Sequence, residues 1–198
     1  PHPEAIGARR QMAAGSLPLL ASERRSTSPT PQGYLRVDQS RALALRERLV
    51  EIADGPTIGI SWRSRKPNPV QSFEAPLWNW EPVFDVPSAT FVNLQYDATA
   101  TELENIRARY GLNLVAFKDI DPFRDIDDLA ALISVLDHVV SIANINVPLC
   151  HGIGRTCHVA LRHYQEDWRF QRNQTKSEWL PDCRLYWPER KGDWAGVF

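Results

Sequence analysis

No stretch of this sequence approaches the roughly 20 consecutive apolar residues that a membrane-spanning helix needs, and its first residues lack the basic-then-apolar order of a secretory signal. The chain therefore reads as soluble, with no membrane partner. Neither sign of charge is in excess: 23 Lys and Arg face 24 Asp and Glu, for a net charge of -1. That balance gives no global field to attract nucleic acid, so any anion site must be local. Cysteine is scarce and odd in number, with Cys150, Cys157 and Cys183 alone. Three thiols in apolar or mixed surroundings fit a reducing, bacterial cytoplasm better than a disulfide framework. Two phosphate-binding signatures are missing as well. No Gly-x-Gly-x-x-Gly follows the first strand and no Walker A sequence occurs, which removes the ordinary dinucleotide and P-loop readings.

What remains is 198 residues that are 43% hydrophobic, enough for one domain with a sizeable core. Residues 1–33 carry Pro1, Pro3, Pro18, Pro29 and Pro31 around the polar run Ser22 to Ser28 and read as a linker-like arm. The domain is expected over 34–198. Ala42, Leu45, Leu49 and Ile52 recur at helical spacing ahead of Asp54-Gly55-Pro56, which predicts a helix over 39–53. A short apolar run predicts a buried strand at 57–62. Further strands are expected at 89–95, 113–117, 138–142 and 157–161. Between them fall helical patterns at 77–84, from Thr99 to the Gly111 stop, and behind Asp125, Asp127 and Asp128. Strands alternating with helices predict an α/β fold: a Rossmann-like, doubly wound, mainly parallel sheet of about five strands.

Ligands of such sheets bind beyond the carboxyl ends of the strands, so the loops beginning at Arg63, Gln95, Lys118 and Ala143 are where chemistry belongs. Arg63, Arg65 and Lys66 can meet a diphosphate or form a solvated loop, and the spacing fits both. Asn144 and Asn146 can cap the next helix or turn its free N–H groups toward an anion. Cys150-His151 and Cys157-His158 suggest zinc by residue type alone. Adjacent strand residues point to opposite faces, so no metal site is expected from them. The tail from Asp167, rich in Trp168, Phe170, Trp179, Tyr186, Trp187 and Trp194, is expected mostly to staple the chain end onto the core.

Several segments together resemble a known family. They are Gly59-Ile60-Ser61-Trp62-Arg63-Ser64, Phe91-Val92-Asn93-Leu94-Gln95-Tyr96-Asp97, Asp127-Asp128-Leu129-Ala130-Ala131-Leu132-Ile133 and Val139-Val140-Ser141-Ile142-Ala143-Asn144, followed by Asp167-Trp168-Arg169, Glu178-Trp179-Leu180-Pro181 and Gly192-Asp193-Trp194. In this order they resemble the GT-B glycosyltransferase-like domains found at the end of bacterial tetratricopeptide-repeat proteins. Those domains are distantly similar to heptosyltransferases and O-linked N-acetylglucosamine transferases. The resemblance implies the C-terminal half of a GT-B enzyme, which binds a nucleotide-diphosphate-sugar as substrate without a metal or other cofactor. It places the Asn144 turn, with Asn146, at the diphosphate and Gln95 and Asp97 near the ribose or base. Arg63 is the candidate to neutralise the leaving diphosphate. The implied partners are the nucleotide-sugar and a protein acceptor or tetratricopeptide-repeat N-terminal region.

Two departures bear on catalysis. Where the family often has a His after the Asn turn, this chain has Pro148, which offers no side-chain hydrogen bond and no N–H. Asn146 as the N-cap, and so a late helix start, puts Pro148 safely in the first turn. His151 is three positions removed and does not inherit the role, so no catalytic residue is identified. The second departure is that a GT-B active site lies in a cleft between two α/β halves, and the expected fold accounts for one. The expectation is a donor-binding domain that is inactive alone; the alternative is a non-catalytic α/β protein-interaction module derived from that fold.

Overall fold

The computed structural model describes residues 33–65, 73–164, 167–194 and 196–197. The arm expected over 1–33 lies outside them except for Gly33. The first helix, α1 (Gln39–Val50), begins where the Asp38 carboxylate accepts the Ser40 and Arg41 backbone N–H groups at 2.9 and 3.0 Å. Ala42, Leu45 and Leu49 form its buried stripe.

The chain then runs through β1 (Thr57–Ser61), a two-residue antiparallel pair of β2 (Arg63–Ser64) and β3 (Phe73–Glu74), and the short α2 (Glu81–Phe84). Next come β4 (Thr90–Asn93), α3 (Ala100–Tyr110), β5 (Asn113–Val115), α4 (Ile126–Val135) and β6 (His138–Ile142). It ends with α5 (Asn146–Gly152), β7 (Cys157–Ala160) and β8 (Cys183–Tyr186). Local signals place the helix ends. Thr99 accepts the Glu102 N–H at the start of α3, and Gly111 closes it at φ 64°, a backbone that glycine adopts without strain. Among the described residues no helix is long and apolar enough to cross a membrane.

The central sheet has six strands in the order β5-β4-β1-β6-β7-β8, and every neighbouring pair is parallel. This is the doubly wound α/β architecture, with one strand more than expected. The extra strand is β8, in the aromatic tail, where Cys183 and Leu185 face the core and alternate with exposed Arg184 and Tyr186. The rest of that tail largely staples: Phe170 and Trp194 are buried, and the Trp194 ring stacks on Phe73 at 5.7 Å.

Alternation along the strands divides the core into two layers. Val92, Val139 and Val159 pack against α1, α4 and α5. Ile58, Ile60 and Phe91 pack against Trp62, Trp80, Phe84 and the apolar stripe of α3. Gly59 sits where the first layer is tightest. A Cβ there would lie 2.5 Å from Leu94 Cδ1 and 2.7 Å from Leu136 Cδ1.

Candidate ligand crevice

From β1 the chain winds outward to β4 and β5, then returns to lay β6 on the other side of β1. The strand order therefore reverses between β1 and β6, and the loops leaving their carboxyl ends diverge. A crevice opens at such a point. Here it has a volume of about 470 Å³ and is lined by Ser64, Tyr96, Phe123, Asn144, Pro148 and Arg169 among others.

Beneath the crevice a chain of side-chain hydrogen bonds ties the strand ends together. Gln95 Oε1 accepts three donors, each at 3.0 Å: the Ser61 hydroxyl, the Trp62 N–H and the Arg63 N–H. Gln95 Nε2 donates to the Arg63 carbonyl at 3.1 Å and to Asp97 Oδ1 at 2.7 Å. Asn144 Nδ2 donates to Ser61 Oγ at 2.8 Å, which joins β1 to β6. Asn144 Oδ1 accepts the Ser141 hydroxyl and the Asn146 N–H, both at 3.0 Å. The last bond opens α5, so Pro148 is its third residue and lies in the first turn, where an N–H is not required.

The five residues expected at the site thus converge, but they differ in what they can still reach. Gln95 and Asn146 are 1% exposed, so neither presents a free face to solvent. Arg63 is 5% exposed and turned inward. Its Nε donates to Asp97 Oδ1 at 2.8 Å, its Nη2 to Glu102 Oε2 at 2.8 Å and to the Asp97 carbonyl at 2.9 Å, and its Nη1 to Glu102 Oε1. Burial opposes its charge, but the Glu102 and Asp97 carboxylates outweigh that cost and hold its pKa above the ordinary value. Asp97 in turn lies 2.9 Å from Arg65 Nε. Of the five, Asn144 alone lines the crevice itself.

Three lining residues are not among those expected at the site. Tyr96 and Phe123 form an aromatic pair with ring centroids 5.6 Å apart, and Phe123 is 68% exposed. Tyr96 is anchored by the Arg65 N–H, which donates to its hydroxyl at 2.8 Å. Arg169 is fixed from one side: Nε donates to Asp167 Oδ1 at 2.9 Å and Nη2 to Asp167 Oδ2 at 2.6 Å. Asp167 raises its pKa and keeps it charged. A usable signal exists for Tyr96, which lies between two residues that the sequence singles out, and for Arg169, which ends the family-like segment Asp167-Trp168-Arg169; Phe123 has none.

The thiols offer no nucleophile. All three are buried; the neighbouring Cys150 thiol and burial hold Cys157 well above the usual thiol range, and burial pushes Cys183 up to about 12. Cys157 packs into the core while His158 faces the opposite side of the sheet, where it bonds the Tyr186 hydroxyl at 2.8 Å. Among the described residues no group of three or more His, Cys, Asp or Glu side chains is arranged to hold a metal ion. The described crevice lining contains no carboxylate and no imidazole. Such a surface can stack a flat ring, hydrogen-bond a polar ligand and contact an anion, but offers no evident proton acceptor.

No protein-family model matches the chain. A curated relative, Protein FlbA of Caulobacter vibrioides, is 28% identical over 167 residues, covering 84% of this chain. The chain spans only 28% of that relative's length. A solved structure, a glycosyl transferase family 9 protein from Veillonella parvula, superimposes over 90% of this chain with a TM-score of 0.53 at 11% identity. The match covers 50% of that protein. The fold is thus similar to half of a glycosyltransferase.

Proposed function

We propose that the chain is the nucleotide-diphosphate-sugar-binding half of a GT-B-type glycosyltransferase, a domain that holds the donor but does not transfer sugar by itself. The observation that carries this reading is the position of the crevice at the strand-order reversal, above a sheet whose fold is similar to half of a glycosyl transferase family 9 protein. In this reading Asn144 contacts the donor directly. Gln95, Asp97, Arg63 and Asn146 hold the two loops that shape the crevice, and Tyr96 and Phe123 present ring faces to a base or sugar.

Transfer requires a base near the acceptor and a second surface to orient the reacting carbon. The described lining has neither a carboxylate nor an imidazole, and in this reading a partner half supplies both functions. The acceptor is proposed to be a protein, delivered by a tetratricopeptide-repeat region of the same system. Titration calorimetry of the purified chain with UDP, GDP, ADP and their sugar conjugates tests the donor reading: one nucleotide should give saturable heat that falls in Asn144→Ala. Absence of heat with all of them overturns it. Release or transfer of labelled sugar by the chain alone overturns the claim that it is inactive by itself.

A second reading has its own observation. Phe123 and Ile145 line the crevice and are 68% and 44% exposed. A rim of that kind suits a protein surface, as in a non-catalytic interaction module. A chain that binds no nucleotide but binds an intact partner protein would favour this reading.

A further inference from the structure

We infer that Arg169, and not Arg63, is the side chain that contacts the anionic part of the ligand, and that the anion is a diphosphate. The inference rests on the donor-binding reading above and adds to it the residue that would recognise the phosphates. Arg63, Arg65, Arg162 and Arg169 all lie toward the carboxyl end of the sheet, but among the described lining residues of the crevice Arg169 is the one arginine, and its environment contrasts with that of Arg63. Both long edges of the Arg63 guanidinium are bonded to Asp97 and Glu102, and the side chain is shut away at 5% exposure. Reaching a ligand would require breaking two buried ion pairs. Arg63 is therefore a positioning residue: it draws the start of α3, through Glu102, against the loop that carries Asp97.

Arg169 has the complementary arrangement. Asp167 grips the Nε and Nη2 edge and leaves Nη1 with no hydrogen-bond partner among the described residues. Its side chain is 34% exposed and lines the crevice together with Asn144 and Ser64. The Arg169 backbone is held as well, since its N–H donates to Asp167 Oδ1 at 3.0 Å and its carbonyl accepts the Ser177 hydroxyl at 2.5 Å. A guanidinium fixed by a carboxylate on one edge has lost most of its rotamer freedom before a ligand arrives, so its free edge can bond phosphate oxygens at little further entropic cost. Because Asp167 offsets the charge, recognition depends on directed hydrogen bonds more than on net attraction. Tyr96 and Phe123, which line the same crevice, would take the uncharged part of the ligand.

The experiment is titration calorimetry of the full chain with UDP, GDP and ADP and with the matching nucleosides, which lack phosphate. For the diphosphate that binds wild type, Arg169→Ala should weaken binding about ten-fold or more, the scale of a charge-assisted hydrogen bond, while any measurable nucleoside binding stays within about two-fold. Arg169→Lys, which keeps the charge and loses the planar fork, should lie between the two. Equal diphosphate affinity in wild type and Arg169→Ala overturns the inference and leaves the donor reading standing. Equal losses for diphosphate and nucleoside also overturn it, because they mean that the pocket was deformed. If wild type binds no diphosphate, the donor reading fails and takes the inference with it. Circular dichroism checks that each variant folds; should Arg169→Ala not fold, Arg169→Lys decides by the same comparison.

Discussion

The same two strands, β1 and β6, are joined by side chains at both ends, and the two joints are built differently. At the amino end a single residue does the work. Asp137 Oδ2 accepts the Thr57 N–H and the Thr57 hydroxyl, both at 2.8 Å, and the Asp137 N–H donates back to Thr57. At the carboxyl end the joint takes Gln95, Ser61, Asn144 and Ser141, drawn from the ends of three strands, and a 470 Å³ crevice lies above it. Asp137 is exposed, whereas Gln95, Ser61 and Ser141 are almost completely buried. Water can replace a lost bond at the first joint but not at the second. The amino end can thus be held by one replaceable staple, while the carboxyl end depends on a network with no redundancy.

Replacing a residue in each joint tests that difference most directly. Gln95→Leu leaves the Ser61 hydroxyl and the Trp62 and Arg63 N–H groups without their acceptor, and should lower unfolding stability by about 3 kcal/mol or more in urea titrations. Asp137→Ala removes two side-chain hydrogen bonds, both from Thr57, at a position that water reaches, and should cost about 1 kcal/mol. Equal losses would mean that burial does not separate the joints.

Acid should sharpen the contrast. Hydrogen bonds from Thr57 hold the Asp137 carboxyl below its ordinary pKa, so its contribution is present at neutral pH and is lost as pH falls through the folded value, below about pH 4. The stability gap between wild type and Asp137→Ala should therefore narrow below that pH, while the gap for Gln95→Leu, which contains no titrating group, should not. Urea midpoints measured from pH 6 to pH 2.5 check this. The smallest effect belongs to neither joint. Burial, then His138 and Arg184, lower the pKa of the half-buried His158, on the face of β7 opposite Cys157. Folding favours its neutral form, so stability should slip slightly as pH drops below about 6.5. His158→Gln should flatten that slope without affecting either joint.

Much of the frame is legible from residue order. The short apolar runs at β1 and β6, the Thr99 cap and the Gly111 stop are local features, and they mark elements close to where the structure has them. The strand β8 is harder to see because Cys-Arg-Leu-Tyr is short and lies among tryptophans and prolines that suggest a staple. It becomes a strand through parallel pairing with β7, a partner more than 20 residues away. The candidate site divides in the same way. Reading loops at strand ends points to Arg63, Asn144 and Asn146, and the family resemblance adds Gln95 and Asp97; topology sends all of these loops to one edge of the sheet.

By itself the sequence determined the class of fold, the alternation of its elements and the end of the sheet where a ligand would sit, since these follow from hydrophobic period and local capping. The tertiary structure alone decided which polar groups remain free to bind. Arg63 and Arg169 are chemically the same side chain, and each has an acidic partner that sequence distance does not reveal as a double clamp or a single one. Only with the chain folded do Asp97 and Glu102 close around one guanidinium while Asp167 leaves an edge of the other open, because that distinction rests on burial and on the geometry of long-range contacts.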